Sequence, residues 1–239
     1  NGWHEFRGGE EALPIRYSSG TKRINLIWDD FTNCGDTALD AVVRDAEGRI
    51  IGRADGVQDP LSDTCSPAER VSVAAPGGEP VWLSIQRVAG SPNTRFDVMA
   101  RSGDLLDPMP WGSVTDPGTH PDVLTVGAVR GTSRYAMMPP ESFSSWGPTA
   151  AGLPKPDLAG PDGLSSSIYG PTGFYGTSAS TPATAATIAL VMSRYPDMTA
   201  RQAANWLMAR AISDREAGDP LDPALGAGRI RLPPPGAGT

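Results

Sequence analysis

The run from residue 180 to residue 193 constrains the fold more than any other part of this 239-residue chain. It is rich in small side chains (Ala183, Ala185, Ala186, Ala189), continues into Leu190, Val191 and Met192, and reads as a helix. A helix of that composition packs by close approach of its backbone, which places it in the middle of a protein. Two neighbours suit it. Residues 123–129 (Val-Leu-Thr-Val-Gly-Ala-Val) are a near-continuous apolar run ending at Arg130-Gly131, the pattern of a strand buried on both faces. Thr199-Ala200-Arg201-Gln202 has the form of a capping box and opens a second helix, with Ala203, Trp206, Leu207 and Ala211 on one face. Buried strand, central helix and covering helix make residues 111–232 an α/β arrangement.

The first 110 residues follow a different period. Ile24, Leu26 and Trp28 alternate with Asn25 and Ile27, and Leu39, Ala41 and Val43 lead to a turn at Asp45-Ala46-Glu47-Gly48. Val71 and Val73, then Val81, Leu83 and Ile85, then Phe96, Val98 and Ala100 continue the pattern. Period-two alternation with frequent turn residues predicts an antiparallel β-sandwich over residues 1–110. Residues 233–239, beginning Pro-Pro-Pro-Gly, read as a linker or tail.

Composition removes several classes of function. Hydrophobic residues are 39% and charged residues 20%, an ordinary globular balance. A net charge of −7 argues against nucleic acid and anionic membranes as partners. No run reaches the ~18 apolar residues that a membrane span needs. The opening Asn1-Gly2-Trp3-His4 lacks the basic and apolar regions of a signal peptide, although the chain does not begin with Met and a secretion signal could precede it. The two cysteines, Cys34 and Cys65, read either as one disulfide, which implies an exported protein, or as two separate buried thiols. Neither their spacing nor the two histidines suggests a metal cluster.

The chemistry lies in Gly176-Thr177-Ser178-Ala179-Ser180-Thr181-Pro182, directly before Ala183-Thr184-Ala185-Ala186. A serine at the mouth of a buried helix is well placed for acyl transfer, because the unpaired first-turn N–H groups and the helix dipole favour an anion developing beside it. In isolation, Gly-Thr-Ser is equally a plain helix cap. The longer string resembles the serine signature of the subtilisin-like peptidases, G-T-S-x-[S/A]-x-P, at every fixed position. Three more segments resemble the same family in the right order. They are His120-Pro121-Asp122 with the 123–129 strand, Ser142-Phe143-Ser144-Ser145-Trp146-Gly147-Pro148 followed by Lys155-Pro156-Asp157-Leu158, and Gly226-Ala227-Gly228-Arg229-Ile230. One stretch departs from it: where the family has Ala-Pro-Gly, this chain has Ala159-Gly160-Pro161-Asp162-Gly163, which implies a small rearrangement of a turn. The fold implied is the C-terminal portion of a subtilisin-like α/β domain, a parallel sheet with the serine helix buried, preceded by an inserted β-sandwich. That sandwich loosely resembles the jelly-roll-like domains attached to secreted bacterial peptidases, through its hairpin at residues 39–52.

The resemblance implies a serine endopeptidase with Ser178 as nucleophile and Thr177 supporting the oxyanion hole. Thr115 and Asp116 fall by alignment near the wall of the substrate pocket, where Asp116 would favour basic side chains. The family also needs an Asp, a His in a His-Gly-Thr context and an oxyanion Asn, and none of these segments is in the chain. His4 and His120 lack that context, and Asp116, Asp122 and Asp157 read as turn or structural carboxylates. The missing groups are therefore expected upstream of residue 1, in the rest of the same peptidase domain, and this chain alone is expected to be inactive. The partners implied are a polypeptide substrate and that upstream part. No cofactor is required. Structural calcium is common in the family, but no carboxylate cluster here points to a site. Two alternatives remain: a pseudo-peptidase that has lost its base, and a binding module in which the β-sandwich recognises a protein or carbohydrate through an aromatic such as Trp82.

Overall fold

The computed structural model describes residues 2–30, 36–56, 66–214 and 220–233. Cys34, Cys65 and residues 234–239 lie outside them, so the disulfide and most of the tail do too. The chain divides into two compact units, Asn1–Pro108 and Met109–Thr239. Most of the strand pairing is antiparallel and helices are few.

The first unit holds β1 (Leu13–Tyr17), β2 (Gly20–Trp28), β3 (Ala38–Arg44), β4 (Ile50–Ala54), β5 (Ala68–Ala75), β6 (Pro80–Ala89), β7 (Phe96–Arg101) and β8 (Gly103–Leu105). They form a five-stranded sheet in the order β4-β3-β6-β1-β8 and a three-stranded sheet in the order β5-β2-β7. Every pairing is antiparallel. The alternating residues go inward: Ile24, Leu26, Trp28, Leu39, Ala41, Val43, Val71, Val73, Val81, Leu83 and Ile85 join one apolar cluster fed by both sheets. Phe96, Val98 and Ala100 lie partly buried against it. The turn after β3 is tied by Asp45, whose Oδ1 accepts the N–H groups of Glu47 (3.1 Å) and Arg49 (2.9 Å). Such side-chain bonds to the following backbone are what make Asp a turn residue. Tyr17 packs so close to Gly103 that a Cβ there would stand 2.2 Å from its ring. The Tyr17 hydroxyl is buried with no hydrogen-bond partner among the described residues, and burial pushes its pKa up to about 12.

The second unit contains a parallel pair, β9 (Val126–Arg130) and β10 (Leu158–Asp162). An antiparallel hairpin of β11 (Leu164–Ser166) and β12 (Gly170–Phe174) follows, then α1 (Thr177–Arg194) and α2 (Ala200–Met208). The apolar run enters its strand later than its composition predicts, at Val126. Val123 is held in a turn, its N–H on the carbonyl of His120 and its own carbonyl on the ammonium of Lys155. The Ala159-to-Asp162 stretch is strand rather than turn. Ala159 bonds on its other side to Gly228 and Ile230, so β10 lies between β9 and the closing segment. Pro161 shares the orientation of Ala159, so the donor it lacks would have faced away from β9.

Helix α1 lies on β9 and β10 with Ala179, Ser180, Thr184 and Val191 buried. Its other face is open: Pro182, Ala185, Ala186 and Ala189 are exposed, and Leu190 is 59% exposed. The expected central burial therefore holds for one face only. Small residues are needed where the helix meets the strand, and the same composition continues round to a side that nothing in the described residues covers. Helix α2 has its capping box: Thr199 Oγ1 accepts the N–H of Gln202, and the Gln202 side chain accepts the N–H of Thr199. Ala203 and Leu207 face the core with Trp206 beside them, while Ala211 lies beyond the helix end. Among the described residues no helix is long and apolar enough to cross a membrane.

Candidate active site

The local sequence builds the start of α1 in a specific way. Gly176 is the N-cap with φ +99°, a backbone region that side chains disfavour, and its carbonyl accepts the N–H groups of Ala179 (2.9 Å) and Ser180 (3.2 Å). The N–H groups of Thr177 and Ser178 precede the first intrahelical bond, so they are the orphan donors of an 18-residue helix. The hydroxyl-bearing residues differ sharply in access. Ser178 and Thr177 are exposed, whereas Ser180 is fully buried and turns its Oγ toward the Gly176 carbonyl at 3.5 Å. Among the described residues, Ser178 thus presents a free hydroxyl beside unpaired backbone donors. None of the described side chains hydrogen-bonds to it.

The strands beneath are tied down by the motif residues. Ser144, in the Phe-Ser-Ser stretch, is 1% exposed and its Oγ accepts the N–H of Ala128 at 3.0 Å on the side of β9 away from β10. Lys155 is 3% exposed, and its ammonium reaches Asp157 Oδ2 at 2.7 Å and the Val123 carbonyl at 2.6 Å. The same Asp157 oxygen accepts the Thr125 N–H at 2.6 Å. Lys155 and Asp157 therefore anchor the loop that feeds β9.

Thr115 and Asp116 are exposed in a turn closed by the Thr115 carbonyl, which accepts the N–H of Gly118 at 2.9 Å. Asp116 Oδ1 accepts from the Thr119 hydroxyl. Asp122 pairs with Arg201 at 2.8 Å. Of the histidines, His120 is exposed and its Nδ1 accepts the N–H of Asp122, so it serves its own turn. His4 packs edge-on against Phe6 (4.6 Å between ring centroids) and Phe96 (4.7 Å), and burial lowers its pKa from the ordinary value of 6.5. Trp82 is half-buried. Among the described residues no group of three His, Cys, Asp or Glu side chains is placed to hold a metal ion.

Sequence reasoning missed three residues around the approach to α1. Asp162, Arg130 and Tyr175 converge on the turn before Ser178. The available signal was a carboxylate at the end of an otherwise apolar strand, where burial of a charge calls for a reason.

The model of the family described as Peptidase_S8, Subtilase family, matches residues 93–228, more than half of the chain. Among solved structures, the CspB protease of Clostridium perfringens matches with a TM-score of 0.64 at 15% identity, over 96% of this chain and 53% of that one. At that identity the likeness concerns the fold, and the chain spans about half the length of that structure. No curated protein matches. Signature serine, supporting motifs and family match agree: this chain belongs to the subtilase family.

Proposed function

We propose that the chain is the serine-bearing part of a subtilisin-type endopeptidase, and that Ser178 forms the acyl-enzyme with a polypeptide substrate. The supporting observation is the exposed Ser178 hydroxyl beside the unpaired N–H groups at the mouth of α1. In this reading Ser178 Oγ attacks the peptide carbonyl while a histidine supplied from outside these residues takes its proton, oriented by an aspartate. The Ser178 N–H and an asparagine, likewise from outside, hold the oxyanion, with the Thr177 hydroxyl supporting them. Loss of one such donor typically lowers turnover ~10²–10³-fold. Thr115 and Asp116 line the pocket for the residue before the scissile bond. No cofactor takes part. Residues 111–232 are then the C-terminal part of the peptidase domain, and residues 1–110 are a β-sandwich inserted into it. An extracytoplasmic setting fits that class of enzyme.

The test is labelling with a fluorophosphonate, with Ser178→Ala as control. Labelling of the intact protein at Ser178, and none on this chain alone, supports the reading. A folded intact protein that fails to label overturns it in favour of the pseudo-peptidase, and attention then turns to what residues 1–110 bind.

A further inference from the structure

The turn that delivers Ser178 is gripped from two sides by the last residues of the parallel strands. Asp162 ends β10, is 0% exposed, and its Oδ2 accepts the backbone N–H of Gly176 at 3.0 Å. Its Oδ1 has no hydrogen-bond partner among the described residues. Arg130, its register partner at the end of β9, lays its guanidinium over the Tyr175 ring at 4.4 Å and reaches the Tyr175 hydroxyl at 3.2 Å. Glu141 lies 3.5 Å from the other end of that guanidinium. Gly163 fills the space between: a Cβ there would come within 3.2 Å of the Tyr175 ring and 3.4 Å of Arg130.

A fully buried carboxylate bonded through one oxygen is a poor device for stability alone, since burying a charge is costly unless it is well paired. The location suggests its use. The positive end of the α1 dipole offsets part of the charge, and the N–H it holds belongs to the residue two before Ser178. Gly176 has an unusual φ and no side chain of its own to fix the turn, so the fixing comes from neighbours. Arg130 does for Tyr175 what Asp162 does for Gly176.

We propose that Asp162 and Arg130 are positioning residues that clamp Tyr175 and Gly176 and so set where the Ser178 hydroxyl lies. The inference rests on the reading of Ser178 as nucleophile for its catalytic consequence, but the clamp itself is measurable without activity. A displacement of about 1 Å at a reacting group lowers rate on the order of 10²-fold, which sets the scale of the effect.

The test is run on the intact protein, comparing wild type with Asp162→Ala, Asp162→Asn and the surface variant Arg130→Met, each checked for a native melting profile. Hydrogen exchange at the Gly176 amide is read first. It is expected to accelerate at least about tenfold in Asp162→Ala and to stay near wild type in Asp162→Asn, which keeps an acceptor oxygen. Amides in the middle of α1 are expected to be unchanged. Fluorophosphonate labelling of Ser178 is expected to slow about 10- to 100-fold in Asp162→Ala and about 3- to 10-fold in Arg130→Met, with KM for a peptide substrate within about twofold of wild type. Asp162→Asn is expected to restore the labelling rate. An unchanged Gly176 amide in Asp162→Ala overturns the clamp, as does faster exchange with an unchanged labelling rate. If Asp162→Ala does not fold, Arg130→Met decides by its labelling rate, and a rate equal to wild type overturns the clamp. If wild type does not label at all, the peptidase reading fails, and the amide exchange still decides the clamp.

Discussion

A side chain on Gly160 would collide with Thr184: its Cβ would stand 2.5 Å from Thr184 Oγ1 and 2.7 Å from the Ser180 carbonyl oxygen. Helix α1 rests directly on the backbone of β10 at this point, and the Thr184 hydroxyl turns back to the Ser180 carbonyl at 2.9 Å, which keeps it out of the strand. Gly160→Ala is expected to push the helix off the strand and destabilise the protein by about 1–3 kcal/mol, the usual cost of overpacking. Urea unfolding monitored by far-UV circular dichroism checks this, and a midpoint equal to wild type would show that the helix can shift without cost.

Lys155 and Asp157 form a second anchor. Because Lys155 is almost wholly buried, its removal leaves the Asp157 carboxylate with only the Thr125 N–H among the described residues. Breaking one partner of a buried pair typically costs about 3–5 kcal/mol. Asp157 keeps some solvent, with 22% of its side chain exposed, so Lys155→Ala is expected near the lower figure. Lys155→Met, which retains the stem, should lose less. Thermal melts of the two variants separate the charge from the packing.

Tyr17→Phe is expected to leave the first unit as stable as before or slightly more so. The hydroxyl it removes is buried and has no partner among the described residues, and such a group contributes a desolvation cost with no bond in return. Gly103→Ala should act in the opposite direction, since the added methyl has to displace the Tyr17 ring. A clear loss of stability in Tyr17→Phe would reveal a partner for the hydroxyl.

His4 is expected to make the first unit sensitive to mild acid. Burial lowers its folded pKa below 6.5, so the unfolded chain takes up the proton more readily. Its contribution is complete above pH 6.5 and is lost as the pH falls through that value toward the folded pKa. Asp40 and Asp97 carry pKa values raised by burial from 3.8, and they act with the opposite sign at lower pH. Melting temperature is expected to fall between pH 7 and pH 5 in wild type and to fall less in His4→Gln. An identical slope in both would assign the acid sensitivity elsewhere.

Period-two alternation located β2, β3, β5, β6 and β7 because the residues they bury are mostly apolar and recur at every second position, whereas β4, with Ile50 exposed and Ala54 buried, carries no such alternation. β1 escaped it. Pro14 lies inside that strand and pairs opposite Trp82, and an interior proline argues against a strand when only the sequence is seen. β8 has three residues, too few for any period. In the second unit the Thr199 capping box was legible because both of its partners are close in sequence. Asp162 was hidden for the converse reason. Gly160-Pro161-Asp162-Gly163 has turn composition, and only the tertiary pairing with β9 on one side and Gly228 to Ile230 on the other makes it strand. The Ser178 signature was readable as a string, but the difference in access between Ser178 and Ser180 required the helix to be seated on Gly160.

The pairing order of the five-stranded sheet has a consequence for how the chain is made. β1 sits between β6 and β8, with Ile15 opposite Val81 on one side and Leu105 on the other. The first strand of this unit is therefore among the last to find its neighbours, and the unit closes only when β8 has arrived. Pairings of this span make closure of long loops the slow step of folding. On the ribosome the segment up to β5 would wait with apolar Leu13, Ile15 and Tyr17 unpaired, a period in which a holding chaperone has most to offer.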